Sequence, residues 1–504
     1  MPVPDLPDAA PPHPSILART ASGAGWIFAF RIVTRVIGTA STFILAMLLL
    51  PVDFGVVALG TAFMQSVEIF AYVGVEDALV REKTLDREMY DTGFTLNLLR
   101  GGLMALVLVG VAVPVADFYR EPELINVLLA LGLAALLEAC GNIGMVDFRR
   151  NFQFDREFMW LTLPRLVQVV VMIAGAIILR SYWALIIGIL ALRVVKLVLG
   201  YHLHPYRPRL TLTAWRRLFG YSAWSWAVSM AILLREKAPT ALIGRVLESQ
   251  YVGMFTIGSD LANLPVSELV APASRAAFSG FSAGRHEGEA AGDTYIGVVS
   301  VLAAITLPSG VGLSMVADPL VRLALGTSWL ESVPLIAIMG LYSAIAVYGY
   351  MGWTMFFAHG RLAMVFGVTG TSSVARALLL LWLLPHYGLL GAGLALFTTA
   401  LCEDVAYVYL IKRYFSTSMT ALLRSTWRLF AATGAMSGIF YGLGLGWTAV
   451  PGTRLELFWY LGLVVPFGAM LYGASLLALW SLSGRPPGPE ADMLAYVRRR
   501  LSRR

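Results

Sequence analysis

The stretch Trp26-Ile-Phe-Ala-Phe-Arg31-Ile-Val-Thr-Arg35-Val-Ile-Gly-Thr-Ala-Ser-Thr-Phe-Ile-Leu-Ala-Met-Leu-Leu-Leu50 is apolar apart from two arginines and a few small hydroxyl residues. As a helix rising about 1.5 Å per residue it reaches across a hydrocarbon core of roughly 30 Å, with Arg35 within about one turn of the middle. A guanidinium at that depth costs between about 2.5 and more than 10 kcal/mol, depending on how far the bilayer deforms around it. Arg31 and Arg35 are four residues apart and share one helix face. Two readings stand: the arginines snorkel to the bilayer surface, Arg31 more readily than Arg35, or they face a bundle interior as a cationic site for an anion within the membrane.

The rest of the chain repeats the apolar pattern. Of 504 residues, 58% are hydrophobic and 14% charged, with a mean hydropathy of +0.72. Apolar runs recur along nearly the whole length, which excludes a soluble domain and predicts an all-α polytopic membrane protein. Strict period-two alternation is absent, against a transmembrane β-barrel. The formal charge of +7 would suggest nucleic acid in a soluble protein. Here the basic residues concentrate in alternate loops, so no nucleic-acid partner is expected. Cys140 and Cys402 lie in apolar runs without metal-ligand spacing and read as small core residues.

Residues 1–20 hold six prolines and one basic residue, a disordered tail rather than a signal peptide. Helices are expected at about 26–50, 54–80, 92–117, 124–148, 158–179 and 182–202, making a lobe over 21–203. A polar connector, 204–217, leads to a second lobe over 218–414. Its helices are expected at about 221–243, 251–278, 294–316, 333–357, 362–384 and 389–411. A basic connector and two further helices fill 415–482, for about fourteen crossings of ~20 residues each. The tail 483–504 is a basic stretch for the anionic inner leaflet. Loops rich in Arg and Lys fall on one side and the opposite turns are short, which puts both termini in the cytoplasm.

The chain also repeats itself. Asp53-Phe-Gly55-Val-Val-Ala-Leu-Gly60 opens the second helix and Tyr251-Val-Gly253-Met-Phe-Thr-Ile-Gly258 the eighth, with both glycines in matching places. The fifth and eleventh helices each carry an arginine, Arg165 and Arg376, ahead of an aromatic turn. A six-helix unit said twice gives a parallel repeat, with substrate between two lobes.

On Leu50-Pro51-Val52-Asp53-Phe54-Gly55-Val56-Val57-Ala58-Leu59, Ala78-Leu79-Val80, Phe118-Tyr119-Arg120-Glu121-Pro122-Glu123-Leu124, Arg149-Arg150-Asn151-Phe152-Gln153-Phe154 and Leu242-Ile243-Gly244-Arg245, the chain resembles the lipid-linked oligosaccharide flippases and polysaccharide exporters of the multidrug/oligosaccharidyl-lipid/polysaccharide (MOP) superfamily. The lipopolysaccharide and exopolysaccharide branch is the nearest. The resemblance implies two six-helix lobes around a V-shaped central cavity, plus two C-terminal helices, in a bacterial inner membrane. It implies flipping of an undecaprenyl-diphosphate-linked repeat unit from the cytoplasmic to the periplasmic leaflet by alternating access. Membrane lipids, a polysaccharide polymerase and glycosyltransferases are the implied partners. The seventh helix departs from the family pattern, reading Arg235-Glu236-Lys237-Ala238-Pro239 where an acidic-basic pair often follows an amide.

A diphosphate crossing hydrocarbon needs cations, and a guanidinium supplies bidentate donors while staying protonated. Arg31, Arg35, Arg165, Arg235 and Arg376 are the candidates, with Arg193 and Lys196 behind them. Glu68, Asp260, Glu403 and Asp404 either pair with those arginines or carry a coupling proton or sodium ion. Glu403 and Asp404 are adjacent, about 100° apart around a helix, and are not expected to face one ion together. Trp224, Trp226, Tyr342, Tyr348 and Tyr350 are candidate sugar contacts or interfacial anchors. No cofactor or metal is expected, and no Gly-Lys-Ser/Thr phosphate loop is present. A multidrug exporter of the same architecture is the nearest alternative, and its cationic substrates would want carboxylates rather than arginines at mid-depth. A polysaccharide polymerase or ligase would need a sizeable outer loop, which the short outer turns do not offer.

Overall fold

The computed structural model describes residues 34–35, 37–70, 75, 79, 86–151, 153–215, 223–287, 291–486, 488 and 490. Among them no strand occurs, and the chain is helical nearly throughout. Eight helices are individually long and apolar enough to cross a bilayer, and a bent pair makes a ninth. Hydrocarbon imposes this architecture, because every backbone N–H and C=O must be satisfied inside its own segment.

By internal contacts the chain divides into two units, and the division does not follow the chain halves. The first comprises residues 1–48, 71–112 and 126–221; the second takes 49–70, 113–125 and 222–504.

The first unit holds α1 (Ile37–Leu48), most of α3 (Arg87–Tyr119) and of α4 (Glu123–Ala139), the short α5 (Val146–Arg150), α6 (Phe154–Leu179) and α7 (Trp183–Leu203). The single helix expected at 124–148 is instead bent by 64° between α4 and the turn that begins at Ile143. Asn142 causes the break: its side chain accepts from the Gly144 N–H at 2.9 Å and caps the new turn. Small residues let the helices approach closely, as expected where apolar lipid removes the hydrophobic drive for helix association. A Cβ at Gly101 would meet that of Ala139 at 2.2 Å, and one at Gly188 would meet Met172 at 2.0 Å. The connector lies along the first turns of α3, with the Tyr206 hydroxyl and the Arg209 N–H donating to Asp91 Oδ1 at 2.6 and 2.9 Å. The Thr211 and Ala214 N–H groups donate to the hydroxyls of Thr95 and Thr92. Burial and the Asp91 carboxylate push the Tyr206 hydroxyl well above the usual tyrosine range.

The second unit begins with α2 (Pro51–Phe70) and continues with α8 (Ala223–Val246), α9 (Ser249–Ala262) and α10 (Ala271–Glu287). Then come α11 (Ala291–Met315), α12 (Ala317–Ala324), α13 (Val333–Ile345), α14 (Val347–Ala358), α15 (Leu362–Phe415), α16 (Met419–Gly442) and α17 (Arg454–Leu482). The helix expected at 251–278 is split into α9 and α10 by a wide turn over Val266–Val270, next to Pro265, which lacks the N–H that would continue the ladder. The two helices expected at 362–384 and 389–411 are the arms of α15. Thr369 meets Tyr407, Ser372 meets Glu403 and Arg376 meets Thr399, so the arms run antiparallel about Gly388. There φ 55° and ψ −136° lie where glycine alone is comfortable.

The glycines that mark the sequence repeat face each other. A Cβ at Gly55 of α2 would lie 1.7 Å from the Ser249 carbonyl oxygen, and one at Gly253 of α9 would lie 1.9 Å from that of Pro51. Next to them, the Arg245 guanidinium sits 5.0 Å from the Phe118 ring, and a Cβ at Gly244 would press on Leu59 and Tyr119. Several motif segments of the sequence therefore meet at one place.

Candidate functional site

The second unit buries a charged cluster between α8 and the arms of α15. Arg235 Nη1 donates to Glu403 Oε1 at 2.8 Å, and the other Glu403 oxygen accepts from Ser372 Oγ at 3.0 Å. Ser373 Oγ lies 3.1 Å from the Ala231 carbonyl and ties the same two elements by a neutral bond. Arg376 is 9% exposed, and its Nε donates to the uncharged Thr399 hydroxyl at 3.1 Å. Among the described residues no carboxylate lies within ion-pair reach of Arg376.

Asp404 is 7% exposed and packs on Gly349 of α14, where a Cβ would come within 1.9 Å of Asp404 Oδ1. Its Oδ2 is buried without a hydrogen-bond partner among the described residues. Glu403 and Asp404 nevertheless line the same cavity, with about 610 Å³ of unfilled space, its open mouth included, together with Arg235, Tyr342, Tyr350 and Trp353. Their side chains leave the helix in different directions, but α14 packs closely enough at Gly349 for one cavity to reach both.

The other candidates are elsewhere. Arg31 lies outside the described residues, and Arg35 is exposed. Arg165 belongs to the first unit, where it is exposed and donates to Gln168 Oε1 at 3.1 Å one turn along its own helix. Glu68 is half-buried on α2 and Asp260 exposed on α9, and neither lines the cavity. The side chains of Trp224 and Trp226 lie outside what is described, and Tyr348 stacks on Phe430 at 6.4 Å between ring centres. Cys402 is exposed rather than a core residue. Sequence reasoning did not single out Ser372, Thr399, Gly349 or Trp353. The paired Ser372-Ser373 inside an apolar run was the one available signal, since buried hydroxyls in a bilayer need partners.

Among the described residues no cluster of three or more His, Cys, Asp or Glu side chains is placed to hold a metal ion. Arg235, Glu403 and Asp404 line one cavity, where an incoming anion can replace Glu403 on Arg235; Arg376 is not among the lining residues.

Comparison with known proteins decides the family. The family described as "Polysaccharide biosynthesis protein" matches residues 44–334, more than half of the chain. The chain belongs to that family. The match ends ahead of α15, so the cluster on its arms lies beyond it. The succinoglycan biosynthesis transport protein ExoT of Rhizobium meliloti is 23% identical over 336 residues, 66% of this chain and 68% of its own. The lipopolysaccharide biosynthesis protein WzxC of Escherichia coli is 21% identical over 442 residues, 86% of this chain and 89% of its own. Among solved structures, the lipid II flippase MurJ in an inward closed conformation superposes with a TM-score of 0.68 at 13% identity, covering 90% of this chain and 99% of its own. An inward-facing multidrug transporter of the MATE family gives 0.55 at 16% identity over 76% of this chain and 96% of its own. The all-helical, multi-pass part of the expected fold class is borne out, in a fold shared with MurJ and the MATE transporter; the expected count of about fourteen crossings is not confirmed by the eight or nine spans among the described residues.

Proposed function

We propose that the protein is a flippase that moves an undecaprenyl-diphosphate-linked oligosaccharide from the cytoplasmic to the periplasmic leaflet of a bacterial inner membrane, by alternating access, for export of a cell-surface polysaccharide. Arg376 carries the reading. A guanidinium held in the bundle against a neutral hydroxyl is a costly arrangement in hydrocarbon, and it is reasonable where an anion visits. Arg235 joins it when Glu403 lets go, and Arg31, Arg35 and Arg165 are proposed as further diphosphate contacts on the sequence argument alone. The exchange of Glu403 for diphosphate gives the two occupancy states different free energies, which alternation between conformations requires.

Asp404, with one oxygen unbonded, is the proposed seat of a coupling proton or sodium ion, and Glu403 shares that role when Arg235 has moved to the substrate. Tyr342, Tyr350 and Trp353 offer stacking and hydrogen-bonding surfaces to a sugar. The alternative, a multidrug exporter, is favoured by the Asp404 carboxylate but not by Arg235, which a cationic drug would meet beside it. The polymerase and glycosyltransferases that consume and supply the lipid-linked sugar are the proposed partners.

The test is transport of labelled undecaprenyl-diphosphate oligosaccharide across proteoliposomes, for wild type, Arg376→Ala, Arg376→Lys and Arg35→Ala. Wild type should transport, and each Arg376 variant should lose at least about tenfold, equivalent to one charge-assisted hydrogen bond. Normal transport by Arg376→Ala would make this arginine structural. Movement of only a cationic drug by wild type would end the flippase reading.

A further inference from the structure

The first unit holds a second charged cleft, separate from the arginines assigned above. It opens between α3, α4, α6 and α7 and holds about 860 Å³ of unfilled space, its mouth included. Arg100, Arg149, Arg193 and Lys196 line it, with Glu138 and Glu157. Arg149 Nε donates to Glu157 Oε1 at 3.1 Å, and Arg193 Nη1 pairs with Glu138. The Lys196 ammonium lies 4.4 Å from the centre of the Trp160 ring. Four cations and two carboxylates thus line it. The Arg193 Nε is buried with no acceptor among the described residues.

The cleft has a defined position. Asn142 in its wall donates Nδ2 to the carbonyls of Gly200, His204 and Tyr206 at 3.2 to 3.3 Å, so it abuts the connector at the end of the bundle. Arg149 belongs to the basic segment that follows α4, on the side where positive loops concentrate. The positive-inside reading sets such a segment near the bilayer surface, where the phosphates of lipids lie.

We infer that this cleft binds the phosphate-ester head of an anionic lipid. Guanidinium forks fit phosphate oxygens bidentately, and an unsatisfied buried Nε–H is relieved by an anionic acceptor. Low-dielectric walls strengthen the pull of these guanidiniums on an anion that enters. Under the flippase reading, the lipid is the polyprenyl-diphosphate substrate, held at the leaflet where it is loaded before the membrane-embedded arginines receive it. The anion site does not depend on that reading, because an anionic bilayer phospholipid presents the same phosphate ester.

The experiment uses the full chain in nanodiscs of zwitterionic phosphatidylcholine, titrated in separate arms with undecaprenyl diphosphate and with phosphatidylglycerol. Binding is read as lipid retained in native mass spectra, and folding as the unfolding temperature. The double variant Arg149→Gln/Lys196→Gln should bind at least about tenfold more weakly, one charge-assisted hydrogen bond's contribution. Glu157→Gln, which removes a competing carboxylate, should bind more tightly. Preference for undecaprenyl diphosphate identifies the substrate head, and equal or stronger phosphatidylglycerol binding identifies a bilayer lipid; either supports the site. Unchanged affinity for both lipids in the double variant, or weaker binding by a folded Glu157→Gln, overturns it. Wild type that binds in this cleft yet moves no lipid-linked oligosaccharide in proteoliposomes loses the flippase function and keeps the cleft.

Discussion

Arg235 and Glu403 show how a residue pair is judged inside a membrane bundle. Their side chains are 30% and 8% exposed, so Glu403 is desolvated and Arg235 partly so. A pair of this kind adds little net stability over apolar residues of the same shape, but breaking it strands a charge. Glu403→Ala should lower unfolding stability by about 3 kcal/mol, the lower end for a broken buried pair. Arg235→Met/Glu403→Leu should recover most of that loss while abolishing transport. Thermal unfolding in detergent beside the proteoliposome assay checks both, and a double variant as unstable as the single one would show that the cluster is wanted for folding rather than for exchange. The Arg428–Glu490 pair contrasts with it: the two side chains are 5% and 1% exposed and joined by bonds of 2.8 and 3.2 Å, which anchors residue 490 to α16.

The contact of α2 with α9 is governed by absence of side chain. Gly55 and Gly253 bring backbone against backbone, so a single methyl has nowhere to go but into a carbonyl. Gly55→Ala should force the two helices apart and destabilise this packing by about 1–3 kcal/mol, the usual range for overpacking. Cross-linking between cysteines introduced on α2 and α9 reads the separation, and unchanged cross-linking with an unchanged unfolding temperature would refute the close packing. The reciprocal geometry follows from the repeat, since equivalent glycines in two copies of one motif are well suited to a self-complementary contact. The repeat was legible in the sequence as two glycines with the same spacing. That the copies touch was not, because spacing along a chain carries no information about which distant helix will pack there.

At the scale of the molecule, the alternation of basic loops predicts that both termini lie in the cytoplasm. A green fluorescent protein fused after Arg504 should fluoresce, and alkaline phosphatase fused there should be inactive; the opposite pair of results would invert the orientation and with it the leaflet assigned to the cleft on the first unit. Composition and apolar runs determined by themselves that the chain is a helical multi-pass membrane protein. The short motifs determined its family, and the arginines inside apolar helices announced an anion problem to be solved. Hydropathy is a property of each segment, and a bilayer reads it segment by segment. Tertiary structure alone decided which charges meet: Arg376 faces Thr399 rather than a carboxylate, Glu403 and Asp404 share a cavity, and Arg193 and Lys196 join Arg100 and Arg149 in one cleft. Partners 23, 93 or 168 residues apart in sequence are chosen by helix packing and by turns such as Gly388 and Asn142, where one residue's backbone or side chain redirects everything after it.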